Sequence, residues 1–263
     1  MQKIALITGA SSGIGAEAAR ELAGIGFQVI LVARNETNLA EVAASIGPMV
    51  SFEACDAASA QEVLAMADRV RKNHGIPDVI INCAGAGQWK RIEDTSPVEA
   101  VAMIGAPYLA AFNVTHAFMR DMLGRRSGTI LHINSLACYM AWPSSVGYTA
   151  ARCALRGLHE SLCQDLAGTG VQSCHIVFGK VDSGYFEHNP GTAANLPGIA
   201  KTIRTLSPVE CGRVIAGVVA RPRRETICPF MLRVFCWNNR FAPSLGRWLM
   251  RVTGARRVDV SKQ

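Results

Sequence analysis

The sequence predicts an α/β fold, an open parallel sheet with helices on both faces, and three observations carry that expectation. A short apolar strand at residues 3–8 ends in the turn Gly9-Ala10-Ser11-Ser12-Gly13-Ile14-Gly15, and residues 16–22 then read as a helix of good helix formers. Residues 27–33 are apolar without polar alternation, as a parallel strand buried on both faces requires. Strand-like runs at 50–54, 79–82, 129–133 and 172–177 then alternate with helical stretches at 36–45, 60–72, 98–123 and 148–166. Alternation of this kind implies parallel pairing through right-handed crossovers.

Residues 1–263 read as a single domain, because no Pro/Ser-rich linker, repeat or low-complexity run divides them. An apolar share of 49% is ample for one continuous core. The nearly uncharged stretch at 100–112 falls short of the roughly 18 residues that mark a spanning helix, so no transmembrane segment is expected. Met1-Gln2-Lys3-Ile4 leads straight into a strand, without the apolar core and small-residue cleavage site of a secretory signal. Nine cysteines without a C-x-x-C pair suggest neither a metal site nor a disulfide framework, and a reducing cytoplasm fits them best.

The net charge of +7 is unevenly placed. Residues 221–263 carry ten Lys+Arg against two Asp+Glu, so the preceding 220 residues are close to neutral. Nucleic-acid binding is excluded as a reading of the whole chain, since a groove binder spreads its cations over a structured face with base readers.

Glycines between a first strand and a helix let the backbone approach a pyrophosphate, whose charge the helix N-terminus stabilises. The spacing here is G-x-x-x-G-x-G. An acidic residue closing the second strand would bind the ribose hydroxyls of NAD, whereas an Arg there pairs with the 2′-phosphate of NADP. The chain has Ala33-Arg34-Asn35, with no acid nearby before Glu36, so NADP(H) is the expected dinucleotide.

Tyr148-Thr-Ala-Ala-Arg152 places a phenol and a cation at i and i+4, on one face of a helix. The cation's field then favours the ionised phenol, which suits acid/base chemistry near neutral pH. A guanidinium is a planar fork that does not deprotonate, so it supplies the charge with a geometry of its own.

With these residues laid out, the chain resembles the short-chain dehydrogenase/reductase family over residues 3–220. Thr8 to Gly15 match its nucleotide turn, Asn82-Cys83-Ala84-Gly85 resembles its N-N-A-G segment, and Ser135 stands thirteen residues before Tyr148 at the end of a strand. The resemblance implies a Rossmann-like doubly wound sheet of about seven strands. It also implies hydride exchange between a nicotinamide and a carbonyl or alcohol, and the apolar tail at residues 226–263 makes an apolar small molecule the expected substrate. Catalytic roles would fall to Tyr148 as acid/base, Ser135 as hydrogen-bond donor to the substrate oxygen, and Arg152 as the cation on the nicotinamide ribose. The cofactor site carried over comprises Gly9, Ser11, Ser12, Gly13, Ile14 and Gly15 in the turn, with Arg34 and Asn35 after the second strand. Asp56 and Ala57 would lie by the adenine, Asn82, Ala84 and Gly85 beside the turn, and Gly179, Val181 and Ser183 beside the nicotinamide, with Tyr148 and Arg152 completing it. A homodimer or homotetramer is implied as well.

Three departures from the family pattern sit at the chemistry. Arg152 replaces the usual lysine. Pro107 falls where the family commonly has an asparagine that helps hold a proton-relay water. Phe178-Gly179-Lys180-Val181 replaces P-G-x-V, and Ser183 replaces a common threonine. The joint change of the Lys and Asn positions keeps a second reading open, an NADP-binding protein of this fold with lost or altered redox chemistry, such as a non-redox cyclase or isomerase, a sensor or a scaffold.

Residues 184–210 are expected to form a substrate lid, in which His188 is either a replacement proton carrier or a solvated loop residue. Residues 226–263 form a basic, apolar extension. Leu245, Trp248, Leu249 and Val252 suggest a helix capped by Ser244 and ended by Gly254, with Arg247 and Arg251 one turn apart. Such a helix suits peripheral contact with an anionic membrane, or packing against the lid or another subunit.

Overall fold

The structure, a computed structural model, describes residues 2–85, 87–183, 195 and 197–254. Seven strands form one parallel sheet in the order β3-β2-β1-β4-β5-β6-β7. They are β1 Ile4–Thr8, β2 Gln28–Ala33, β3 Val50–Ala54, β4 Val79–Asn82, β5 Gly128–Ser135, β6 Val171–Phe178 and β7 Glu225–Cys228. The order reverses between β1 and β4, which opens a crevice at the carboxyl ends of those strands. Both neighbours of β1 are in register with it, Thr8 opposite Val32 and Ile7 opposite Ile81.

Each face of the sheet is sealed by helices. Ala5 and Ile7 pack with α1 (Gly13–Gly24), α2 (Glu36–Ile46) and α7 (Pro208–Ala220), through Leu22, Leu39 and Ile215. Ile4 and Leu6 pack on the other side with α3 (Ala60–Asn73) and α5 (Ala110–Gly124), through Met66, Val70, Val114 and Phe118. Local chemistry sets the helix starts. Asn35 accepts from Asn38 N at the head of α2, Ser59 from Glu62 N at the head of α3, and Ser207 and Glu210 form a reciprocal capping box around Pro208. The same box, Ser96 with Glu99, starts α4 (Pro97–Ile104).

The stretch expected as one helix at 98–123 is two helices joined by a bend. Gly105–Leu109 is a wide π-type turn, and Ala106 leaves helical geometry altogether, at φ −131° and ψ 110°. Pro107 explains the break: its ring forces the preceding residue out of the α region and it has no N–H to return to the helix ladder. The apolar stretch is also longer than residues 100–112 suggest, since Pro97–Gly124 is long and apolar enough by composition to cross a membrane. It is bent at its middle, and its second half buries Ala111, Val114, Phe118 and Met122 in the core, as the central helix of an α/β sheet does.

α6 (Val146–Asp165) carries the Tyr148–Arg152 pair, and β7 leads into α8 (Phe230–Phe241) and α9 (Pro243–Thr253). α8 was not evident from the sequence pattern. α9 lies where a helix is expected and Gly254 ends it, but Ser244 does not cap it. Pro243 occupies the first helical position and Ala242 the cap, because the fixed φ of proline and its missing N–H suit that first turn. Of the expected lid, residues 184–194 with His188, and residue 196, lie outside the described residues; Gly198–Thr202 form a 3₁₀ turn, Val181 bridges Leu206, and 208–210 already belong to α7.

Candidate active site

The crevice at the strand ends deepens into a cavity of about 600 Å³, within the usual range for a small-molecule or cofactor site. Its dinucleotide end is built by backbone. Gly9 has φ +66°, and a Cβ there would lie 2.8 Å from Ala84 Cα. A Cβ on Gly15 would fall 2.3 Å from the Gly9 carbonyl oxygen. Only glycine allows α1 to start this close to the turn. Thr8 then ties the turn to the segment after β4, its hydroxyl accepting from both Cys83 N and Ala84 N at 3.1 Å. Ser12 stands extended before α1 without capping it through its side chain, so the first-turn amides remain available to an anion.

Ser11, Ser12, Gly13, Ile14, Arg34, Gly85, Gly179, Val181 and Ser183 line the same cavity as Gly9 and Gly15. Asn35, Asp56, Ala57, Asn82 and Ala84 do not border it. Asn35 caps α2, and Asp56 accepts from Ala58 N at 3.0 Å. Asn113 donates to the carbonyls of Ala57 and Ala58 at 3.1 Å, pinning that loop to α5. Asn82 is buried below the cavity floor, donating to Thr115 Oγ1 at 3.1 Å and lying 3.4 Å from His132 Nδ1.

The other end is built by side chains. Ser135 closes β5 and Tyr148 opens α6, and both face the cavity with Arg152. Ser135 Oγ accepts from Ala137 N at 3.4 Å, which leaves its hydrogen free to donate. Asn134 fixes this corner: its Oδ1 accepts from Ser135 N at 2.9 Å, and its Nδ2 donates to the Arg152 carbonyl at 3.0 Å. One amide therefore locks β5 to α6 between the three side chains of interest.

Arg152 is 8% exposed, and its guanidinium carbon lies 5.0 Å from the centre of the Tyr148 ring. Nη1 donates to the Ile133 carbonyl at 3.3 Å, Nη2 packs against Gly85, and the buried Nε has no hydrogen-bond partner among the described residues. A buried cation facing no carboxylate among the described residues, with a donor unmet, calls for an oxygen-rich ligand. Beside it, burial pushes the Cys83 thiol up to about 12 although Arg152 pulls it down, so Cys83 is an inert neutral wall.

Several lining residues carried no signal in the sequence. Trp89 and Trp142 meet edge to face, their rings 5.1 Å apart, and each flanks Tyr148. Met140 from the loop after β5, Leu232 and Phe235 from α8, and Met250 from α9 complete an apolar roof. Trp89 and Met140 sit in irregular loops, where no periodicity marks a residue as pocket-facing. Asn134 could have been suspected as the polar neighbour of Ser135 in an apolar strand.

Beneath α6 lies a second polar cluster that the cavity does not reach. His132, His159 and His175 are buried, with the rings of His159 and His175 stacked 5.0 Å apart. His159 Nδ1 meets Ser173 Oγ at 2.9 Å, and His175 bridges Asn134 Nδ2 at 3.0 Å to Glu225 at 3.4 Å. Glu225 is held below the usual carboxylate range, first by its hydrogen bond to His175 and then by that from Tyr139. Burial and the neighbouring His175 push His159 down to about 4, and burial, with His159 and His175 beside it, holds His132 well below the usual imidazole value. The described residues contain no group of three or more side chains suited to a metal ion.

Residues 3–191 match the short chain dehydrogenase family. The chain belongs to the short-chain dehydrogenase/reductase family. An uncharacterized oxidoreductase of Staphylococcus saprophyticus is 32% identical over 185 residues, 69% of this chain and 79% of that protein. An alcohol dehydrogenase from Thermococcus sibiricus, solved with 5-hydroxy-NADP, is 26% identical at a TM-score of 0.76, covering 86% of this chain and 96% of that one. A Burkholderia phymatum member solved with NAD superposes at a TM-score of 0.84 over 98% of both chains, but at 20% identity it speaks for the fold alone. This short-chain dehydrogenase/reductase is thus an oxidoreductase-family, nucleotide-binding protein whose fitting cofactor is a nicotinamide dinucleotide. The glycine cradle and the unmet Arg152 donor fit such a group.

Proposed function

We propose that the chain is an NADP(H)-dependent reductase or dehydrogenase acting on an apolar carbonyl or alcohol. One observation carries the reading: among the described residues the cavity lining holds Arg34, Lys180 and Arg152 and no Asp or Glu, while its far wall is Trp89, Leu136, Met140, Trp142, Leu232, Phe235 and Met250. Arg34, exposed just after β2 where an acid would bind ribose hydroxyls, favours a dinucleotide with an extra phosphate. The apolar end favours a substrate that buries hydrocarbon.

The bound dinucleotide would supply or accept the hydride. The chain's own residues would manage the oxygen. Tyr148 would give a proton to the substrate oxygen as negative charge builds there, or take it back in oxidation. Ser135 would donate its free hydroxyl hydrogen to the same atom. Arg152 would turn its unmet donors to ribose oxygens, and the Trp89–Trp142 pair would exclude water from the reacting carbon.

The bend at Pro107 and the replacement of lysine by a buried, ring-stacked guanidinium favour one alternative, an NADP-binding member with lost or altered redox chemistry. Deuterium transfer separates the two. NADPH labelled at both C4 positions is incubated with the protein and a metabolite extract, after NADPH binding is confirmed by titration. A protein-dependent labelled alcohol is the expected product. Bound NADPH without label in any product of a carbonyl panel spanning aliphatic, aromatic and polycyclic compounds would instead favour the non-redox reading.

A further inference from the structure

α8 and α9 each have an apolar face they use and another they leave bare. Leu232 and Phe235 of α8 and Met250 of α9 line the cavity. At 3.6 residues per turn, Phe230, Val234, Trp237 and Phe241 fall on the opposite side of α8, and Leu245, Trp248 and Val252 on the opposite side of α9. All seven are exposed, Phe230 at 71%, Trp237 at 64% and Phe241 at 68%. Trp237 and Phe241 pack on each other, ring centres 4.8 Å apart, and on nothing that hides them. The flanks of these bare faces are cationic. Arg233 and Arg240 border the stripe on α8, Arg247 and Arg251 that on α9, and all four are exposed. Residues 226–254 contain no Asp or Glu, and among the described residues none of these four arginines pairs with a carboxylate.

We infer that the outward face of α8 and α9 docks on an anionic membrane surface, with the aromatic side chains in the interface and the arginines on the headgroups. Aromatic and aliphatic stripes flanked by arginine match the chemistry of a helix lying in the plane of such a surface. A second copy of the chain fits less well, because apposing this face to itself would bring four arginines against four like charges with no acid between them. The same helices roof the cavity, so the docked protein would hold its apolar pocket against the hydrocarbon side of the interface. That last step rests on the apolar substrate proposed above, but the docking itself does not.

Flotation of the full chain with vesicles tests it, independently of turnover. The wild type should float with vesicles of phosphatidylcholine mixed with phosphatidylserine, much less with phosphatidylcholine alone, and less again in high salt. The combined variant Trp237→Glu, Phe241→Glu, Trp248→Glu should lose at least about tenfold in bound fraction, with thermal midpoint and NADPH affinity unchanged. A second variant, Arg240→Ser, Arg247→Ser, Arg251→Ser, should lose the preference for phosphatidylserine. Wild type that floats with neither vesicle, or a glutamate variant that floats like the wild type, overturns the proposal. So does a lipid-free wild type that sediments as an oligomer which the glutamate variant dissociates, because the face would then join copies of the chain.

Discussion

At the dinucleotide end of the cavity the wall is backbone, whereas at the Tyr148 end it is side chains, and the two ends differ in how freely their sequences can drift. A carbonyl 2.3 Å from where a Cβ would stand leaves Gly15 no substitute, and Thr8 must hold two amides at once. Around Tyr148 the requirements are a charge, a donor and a shape, which more than one residue can satisfy. Arg152 meets the charge requirement by lying on the Tyr148 ring and against Gly85. The turn therefore admits only glycine at position 15, while the reacting end accommodates a guanidinium at position 152.

The sharpest test of the reacting end is Tyr148→Phe, which keeps the ring against Trp89 and Trp142 and removes only the hydroxyl. Turnover of a carbonyl substrate should fall about 10²- to 10⁴-fold while the NADPH dissociation constant stays within about twofold. Retained turnover would take Tyr148 out of the chemistry. A loss of NADPH affinity as large as the loss of rate would make its role one of binding.

Arg34→Glu tests the backbone-built end at an exposed cation. A charged hydrogen bond to a phosphate is worth roughly 1.5–3 kcal/mol, so NADPH affinity should drop about 10- to 100-fold. NADH affinity should hold or improve, measured by parallel fluorescence titrations. Equal losses for both dinucleotides would remove the 2′-phosphate from the account of Arg34.

Much of this contrast was legible in the sequence, and for physical reasons. Apolar runs, glycine spacing and alternating elements report local requirements, so six strands, the turn and α1, α2, α3 and α6 lie within a few residues of expectation. The bend at Pro107 was readable as a proline effect, but not its size, because how far Ala106 leaves the helix depends on what packs there. The roof was harder. Phe230, Val234, Trp237 and Phe241 do repeat at helical spacing, yet Met231, Leu232, Phe235 and Cys236 between them are apolar too, so the period is blurred. Trp89 and Trp142 come together from loops over fifty residues apart, a relation no local pattern encodes. Ser244 looked like a cap because it precedes an apolar repeat, and Pro243 took the first turn instead.

The histidine cluster sharpens the comparison from below, since it ties α6 to β5 and β6 through side chains alone. His159 has its folded pKa at about 4 against an ordinary value of 6.5, so between those values the unfolded chain binds a proton that the folded chain refuses. Stability should be level above about pH 6.5, fall as pH drops through the window, and level off for this group below about pH 4. Thermal midpoints across that range should decline for the wild type and decline less for His159→Gln, by an amount on the order of 1 kcal/mol. The glycine turn has no such group, so the NADPH affinity of protein that remains folded should follow a different pH course. Identical pH slopes for wild type and variant would show that His159 does not carry the transition.

The smallest expected effect is at Pro107, and it separates shape from chemistry at the departed end. A proton relay through position 107 would need a polar side chain, and this chain has a buried proline in a wide turn there. If the turn alone matters, Pro107→Asn will relax Ala106 toward helical geometry and restore a donor without restoring a relay. Turnover should then change by no more than about threefold, with a small gain in helix continuity from the recovered N–H. A rise of tenfold or more, accompanied by a larger solvent isotope effect on the wild type than on the variant, would mean that proton supply to Tyr148 limits the natural protein. In that case the proline holds the rate down, and the reacting end has drifted in function as well as in sequence.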